Sequence, residues 1–229
     1  ALASTGVGAA FTNQPANDGV EIVSDSAGDV QVATVIGTTN GTDTVVVEPI
    51  TLTGTTPVST SKTNWGVILA VKLASAAVGT VTFREASGNA TITTVTAGNT
   101  QKGVVEYSGA DGAGGLVQFV ASGATTKQIG LQGTNAAGTT IYDSQALSGT
   151  TAVYSNSAFA SVTEIYVGDL ENSVSVTPTI GAATVPAADQ TDGFGSFYVP
   201  SAMEVNVESG VGISLCRVAS TANTISIAR

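Results

Sequence analysis

The sequence predicts an all-β protein: two tandem antiparallel β-sandwich domains, Ig-like or jelly-roll-like, preceded by an extended N-terminal arm. Three observations carry this expectation. Helical periodicity is almost absent, whereas short runs of Val, Ile, Thr and Tyr alternate with polar residues. Gly, Asn-Gly and Asp-Gly punctuate those runs, as tight turns require. A stretch of the chain also recurs 95 residues downstream.

Residues 1–33 are rich in Ala, Gly, Asn and Asp, with one short apolar run at Val20–Val23. They read either as a separate arm lying on a neighbouring subunit or scaffold, or as a first strand with a frayed tail. On the arm reading, removing residues 1–30 leaves both domains folded. The first ten residues lack a basic n-region and a sustained apolar h-region, so they do not read as an intact signal peptide. A cytoplasmic protein without its initiator Met and a secreted protein already cleaved both fit.

The first domain is expected over residues 34–123, with strands at Val30–Ile36, Thr44–Val47, Trp65–Leu73, Thr80–Glu85, Ala90–Val95 and Leu116–Ala121. Asn40-Gly41 marks a tight hairpin in which both central residues take positive φ. Leu69–Val78 has a composition that suits a helix, but its Gly flanks argue for strand and turn. The second domain is expected over residues 124–229. Its strands fall at Lys127–Gln132, Thr139–Tyr142, Ser161–Val167, Ser173–Thr177, Phe194–Val199, Glu204–Glu208 and Gly212–Val218. The repeat rests on Leu52-Thr53-Gly54-Thr55-Thr56-Pro57-Val58, which returns as Leu147-Ser148-Gly149-Thr150-Thr151-Ala152-Val153. The register holds downstream, where Thr80-Val81-Thr82 falls on Ser175-Val176-Thr177.

Composition excludes several function classes. The chain of 229 residues has no histidine, so Ser-His-Asp and Cys-His catalysis and His-ligated zinc are ruled out. Its single cysteine, Cys216, cannot form a disulfide within the chain and reads as a buried thiol in an apolar strand. Seven Lys and Arg against 17 Asp and Glu give a net charge of −10, which disfavours a nucleic-acid partner. The longest apolar stretch, Val67–Val78, carries Lys72 and falls short of the roughly 20 residues a membrane helix needs. No membrane partner is expected.

The sequence carries no recognisable catalytic motif. Gly193-Phe194-Gly195-Ser196-Phe197 lacks the order of a nucleophile elbow, and no lysine follows the glycines of a phosphate loop. The chain is therefore read as not an enzyme, with no cofactor and no catalytic residue. Weak calcium candidates are Asp25 and Asp29 in one turn and Asp189 and Asp192 in another. Solvated turn residues explain both pairs more simply. Trp65 and Phe83 are assigned to the core, and Lys72, Arg84 and Glu85 to cross-strand ion pairs or a solvated face.

Ile50–Ser61 followed by an apolar strand and Gly79-Thr80-Val81-Thr82-Phe83-Arg84 resembles β-sandwich modules in structural proteins of tailed bacteriophages. The second copy departs from it: Asp169-Leu170-Glu171-Asn172 replaces the hairpin glycine and Pro178 replaces Phe83. The resemblance implies a virion location and a head decoration, head fibre or tail-associated role. It also implies partners among virion proteins, the major capsid protein or neighbouring subunits, and a homo-oligomer. The alternative is an extracellular appendage or cell-surface layer subunit assembled by donor-strand exchange. Strong acidity suits either role, because it keeps free subunits soluble and apart.

Overall fold

The computed structural model describes residues 11–170 and the backbone of four short strands outside them, with side chains described for residues 11–106 and 115–170. Among the described residues there is no helix, and every strand pairing is antiparallel. The strands up to the midpoint are β1 (Ala3–Ser4), β2 (Val20–Ser24), β3 (Val32–Thr39), β4 (Val45–Thr51), β5 (Val58–Ser59), β6 (Trp65–Leu73), β7 (Val81–Glu85), β8 (Thr91–Val95) and β9 (Gln101–Lys102). Then come β10 (Val104–Gly115), β11 (Val117–Ala121), β12 (Gln128–Thr134), β13 (Thr140–Ala146), β14 (Val153–Tyr154), β15 (Phe159–Tyr166) and β16 (Val174–Pro178). A separate pair, β17 (Ser214–Leu215) and β18 (Ile227–Ala228), completes the set.

The sheets form two β-sandwich-like halves. In the first, β4-β3-β6-β9 faces β5-β2-β7-β8; in the second, β10-β15-β12-β13 faces β1-β16-β11-β14. Each half has its own core: Val20, Ile22, Val35, Trp65, Val71 and Phe83 lead one, and Phe119, Ile129, Leu131, Phe159 and Ile165 the other. The order β4-β3-β6 matches β13-β12-β15, and β5-β2-β7 matches β14-β11-β16. The fourth strands do not match, since β8 follows its neighbour in sequence whereas β1 comes from the far end of the chain.

The repeated motif is a turn with the same hydrogen bonds in both halves. Leu52 and Leu147 are buried, and Gly54 (φ +69°) and Gly149 (φ +57°) take the left-handed conformation the turn requires. Gly54 N donates to Asp29 O and Gly149 N to Thr125 O, each at 2.8 Å. The recurrence extends to side chains. Thr60 Oγ1 accepts Val20 N at 3.0 Å and donates to Lys62 O at 2.8 Å; Ser155 Oγ accepts Val117 N at 2.9 Å and donates to Ser157 O at 2.7 Å. Trp65 and Phe159 each lie against a strand glycine, Gly37 and Gly133, at a β-bulge. A Cβ at either glycine would collide with the neighbouring strand's carbonyl, that of Val67 or of Ser161.

The expected boundaries at residues 33 and 123 do not coincide with breaks in the sheets. Residues 20–24, assigned to the arm, form an inner strand between β5 and β7, with Val20 and Ile22 fully buried. Phe11 also belongs to the first core. At the other end, β10 and β11 pair with β15 and β16, so the chain changes halves at Gly103. Val117–Ala121 is the counterpart of Val20–Ser24; the expected strands Phe194–Val199 and Glu204–Glu208 lie outside the described residues. The segment from Leu69 enters β6 and no helix. The hairpin at Asn40-Gly41 joins β3 to β4, but only Gly41 takes positive φ (+74°), and Thr42 N closes the turn onto Thr39 O at 3.0 Å.

Candidate functional site: the junction between the halves

Strand β6 explains the junction. Its run Trp65-Gly66-Val67-Ile68-Leu69-Ala70-Val71-Lys72-Leu73 is apolar on both faces. Ile68, Val71 and Leu73 point into the first core, whereas Val67, Leu69 and Ala70 join Ile36, Val45, Val47, Val104 and Tyr166 in a third cluster between the halves. A strand covered on both sides reads as a continuous hydrophobic run. Gly130 makes room for this packing, since a Cβ there would sit 2.9 Å from a Leu69 methyl.

Polar contacts rim the apolar patch. The β3–β4 hairpin reaches across: Asp43 Oδ1 accepts Gln128 Nε2 at 2.7 Å, and Asp43 O accepts the Ser144 hydroxyl at 2.5 Å. Thr38 donates to Gln128 Oε1 at 2.9 Å. On the other side Lys72 pairs with Glu164 at 2.5 Å, whose second oxygen accepts the Tyr166 hydroxyl at 2.9 Å. Burial, and next the Glu164 charge, push the Tyr166 hydroxyl well above its ordinary pKa, so it stays a donor.

A strap from the N-terminal side fastens both halves. Phe11 N donates to Gly168 O at 2.7 Å while its ring lies over Gly103 and Gly168. Gln14 exchanges hydrogen bonds with Ile68 N and O and reaches Asp169 Oδ1 at 3.4 Å. Asp169 also accepts Gln128 N at 2.9 Å and faces Lys127 at 3.4 Å. Burial raises its pKa against the pull of these partners.

The calcium candidates fare differently. Asp29 is fully buried, and its two oxygens accept the Ser24 hydroxyl at 2.6 Å, Gln31 Nε2 at 3.0 Å, Val78 N at 2.8 Å and Gly79 N at 2.9 Å. A carboxylate offers about four acceptor sites, so none is left for a cation. Burial disfavours the ionised form, but these donors outweigh it and hold the pKa at about 2. Asp25 Oδ1 accepts Thr80 N at 2.7 Å. Both aspartates therefore clamp the loop before β7. Asp189 and Asp192 lie outside the described residues, as does Cys216. Among the described residues, no three carboxylate or thiol groups converge on a metal-sized site.

Trp65 and Phe83 are core residues, and Trp65 Nε1 donates to the Thr60 hydroxyl at 3.1 Å. Arg84 pairs with Glu21 directly across β2 and β7, and Glu85 accepts Asn13 Nδ2 at 2.7 Å. Sequence reasoning missed the junction residues Asp43, Gln128, Glu164 and Tyr166. The one signal for them was the apolar run Val67–Val71 of β6, which a strand with one open face would not show. Comparison with family models, with curated proteins and with solved structures returns no match for this chain.

Proposed function

We propose that this chain is a non-enzymatic structural protein of a virus particle, a capsid decoration or fibre-type accessory protein that acts by assembly. Its architecture on this reading is two tandem β-sandwich domains. The observation that carries the reading is where the reactive side chains go. Asp29, Asp143, Asp169, Glu48 and Glu164 all spend their carboxylates on backbone amides or on partners across the fold, so they hold loops and halves in place. The resemblance of Ile50–Arg84 to tailed-phage modules supports the location. Its partners are the major capsid protein or neighbouring subunits, and it forms a homo-oligomer.

One observation favours the second reading, a surface appendage built by donor-strand exchange. Strand β1 pairs with β16 through Ala3 and Val176 and through Ser4 and Ser175. It thus fills the sheet edge that β8, a hairpin neighbour, fills in the first half. Negative-stain imaging paired with native mass separates the two. Discrete monomers or small closed oligomers that do not polymerise support the accessory protein; filaments of this chain alone overturn it in favour of strand exchange.

A further inference from the structure

We propose that the cleft between the β3–β4 hairpin and the outer edge of β13 binds an uncharged oligosaccharide. The cleft has a volume of about 290 Å³ and is lined by Asp43, Thr44, Val45, Tyr142, Asp143 and Asn156. That size is at the low end for ligand sites and suits about one or two sugar rings. The site lies where the two halves meet, so rigid walls come from both. Asp43 is held by Gln128 and Ser144, and Asp143 by Ser157 N at 2.5 Å and, more loosely, Asn156 Nδ2 at 3.4 Å.

The chemistry is that of sugar recognition. Tyr142 is 37% exposed, and neither its hydroxyl nor that of Thr44 bonds to any described residue. A partly exposed aromatic ring beside hydroxyls with no partner among the described residues, and an amide, suits a ring with apolar C–H faces and a polar rim. Asp43 and Asp143 stand in the lining and no Lys or Arg does, which repels phosphates and acidic sugars and selects neutral ones. The first half lacks the two lining residues that β13 supplies. Its counterparts of Tyr142 and Asp143 are Val47 and Glu48, and Val47 packs in the junction cluster.

The inference holds whether or not the chain belongs to a virus particle. Its test is saturation-transfer NMR on the full chain with maltotriose, cellotriose and chitotriose at millimolar concentration, and trigalacturonic acid as the anionic control. The expected result is transfer to at least one neutral trisaccharide and none to the acid. Tyr142→Ala should weaken that binding at least tenfold with an unchanged melting temperature, and Tyr142→Phe should weaken it less. No transfer to any neutral sugar, equal binding of the acid, or wild-type affinity in Tyr142→Ala would each overturn the proposal.

Discussion

The two halves share one frame and differ on one face. Behind the frame stand the same devices: a threonine or serine hydroxyl at 60 and 155 bridging two segments, an aromatic at 65 and 159 over a bulge glycine, and a carboxylate at 48 and 143 capping backbone amides. The outer face of β4-β3-β6 presents Val45, Val47, Ile36, Val67, Leu69 and Ala70. By strand register, the counterparts on β13-β12-β15 are Thr140, Tyr142, Gln132, Ser161, Thr163 and Glu164. The two faces meet: Gly130 and Tyr166 of the second pack on the apolar patch of the first, Ser144 and Glu164 bond at its rim, and the remainder of the second face is polar.

Core truncation probes what the halves share, and it should have the largest effect. Trp65→Ala and Phe159→Ala each remove a fully buried ring that lies against its bulge glycine. Each should cost about 3–5 kcal/mol in chemical denaturation. If the frames are equivalent the two costs are similar; a negligible cost at Phe159 would break the equivalence. Next in size is the clamp that only the first half shows in full. Asp29→Asn leaves buried amides poorly matched and should cost about 2–4 kcal/mol at neutral pH. Because the native pKa is lowered to about 2, the carboxylate's contribution is complete above the unfolded value near 3.8 and is lost as pH falls from there toward 2. The melting temperatures of wild type and variant should therefore converge below about pH 3. A difference that stays constant down to pH 2 would contradict the clamp.

Part of this was legible from residues. The all-β class followed from alternation and turn residues, and the Leu52 and Leu147 turns announced the repeat. The phase of the repeat was not legible. Val20-Glu21-Ile22-Val23-Ser24 is only five residues long, and its counterpart Val117–Ala121 shares just Val20 and Val23 with it, too short a match to stand out in a chain rich in Val. The junction was hidden for a related reason: Asp43, Gln128 and Ser144 are ordinary surface residues until the hairpin folds over the second half.

Two smaller effects sharpen the comparison of outer faces. The combined change Gln132→Ile and Thr163→Leu makes the polar remainder of the second half's outer face apolar, as its counterparts in the first half are. Sedimentation should then show concentration-dependent association beyond that of the wild type. An unaltered association state would mean that the polarity of this surface does not limit self-association. Arg84→Ala, on the solvent side of β7, should cost no more than about 1 kcal/mol in denaturant, since its partner Glu21 is partly exposed.

The central claim is that the outer face of β3 and β6 is buried beneath the second half, and hydrogen exchange of the intact chain tests it most directly. Peptides spanning residues 33–39 and 65–73 should be the slowest to exchange, and those spanning 140–146, the edge strand of its sheet, markedly faster. Exchange of residues 65–73 as fast as that of 140–146 would contradict the account, because it would leave the apolar face of the first half open to water.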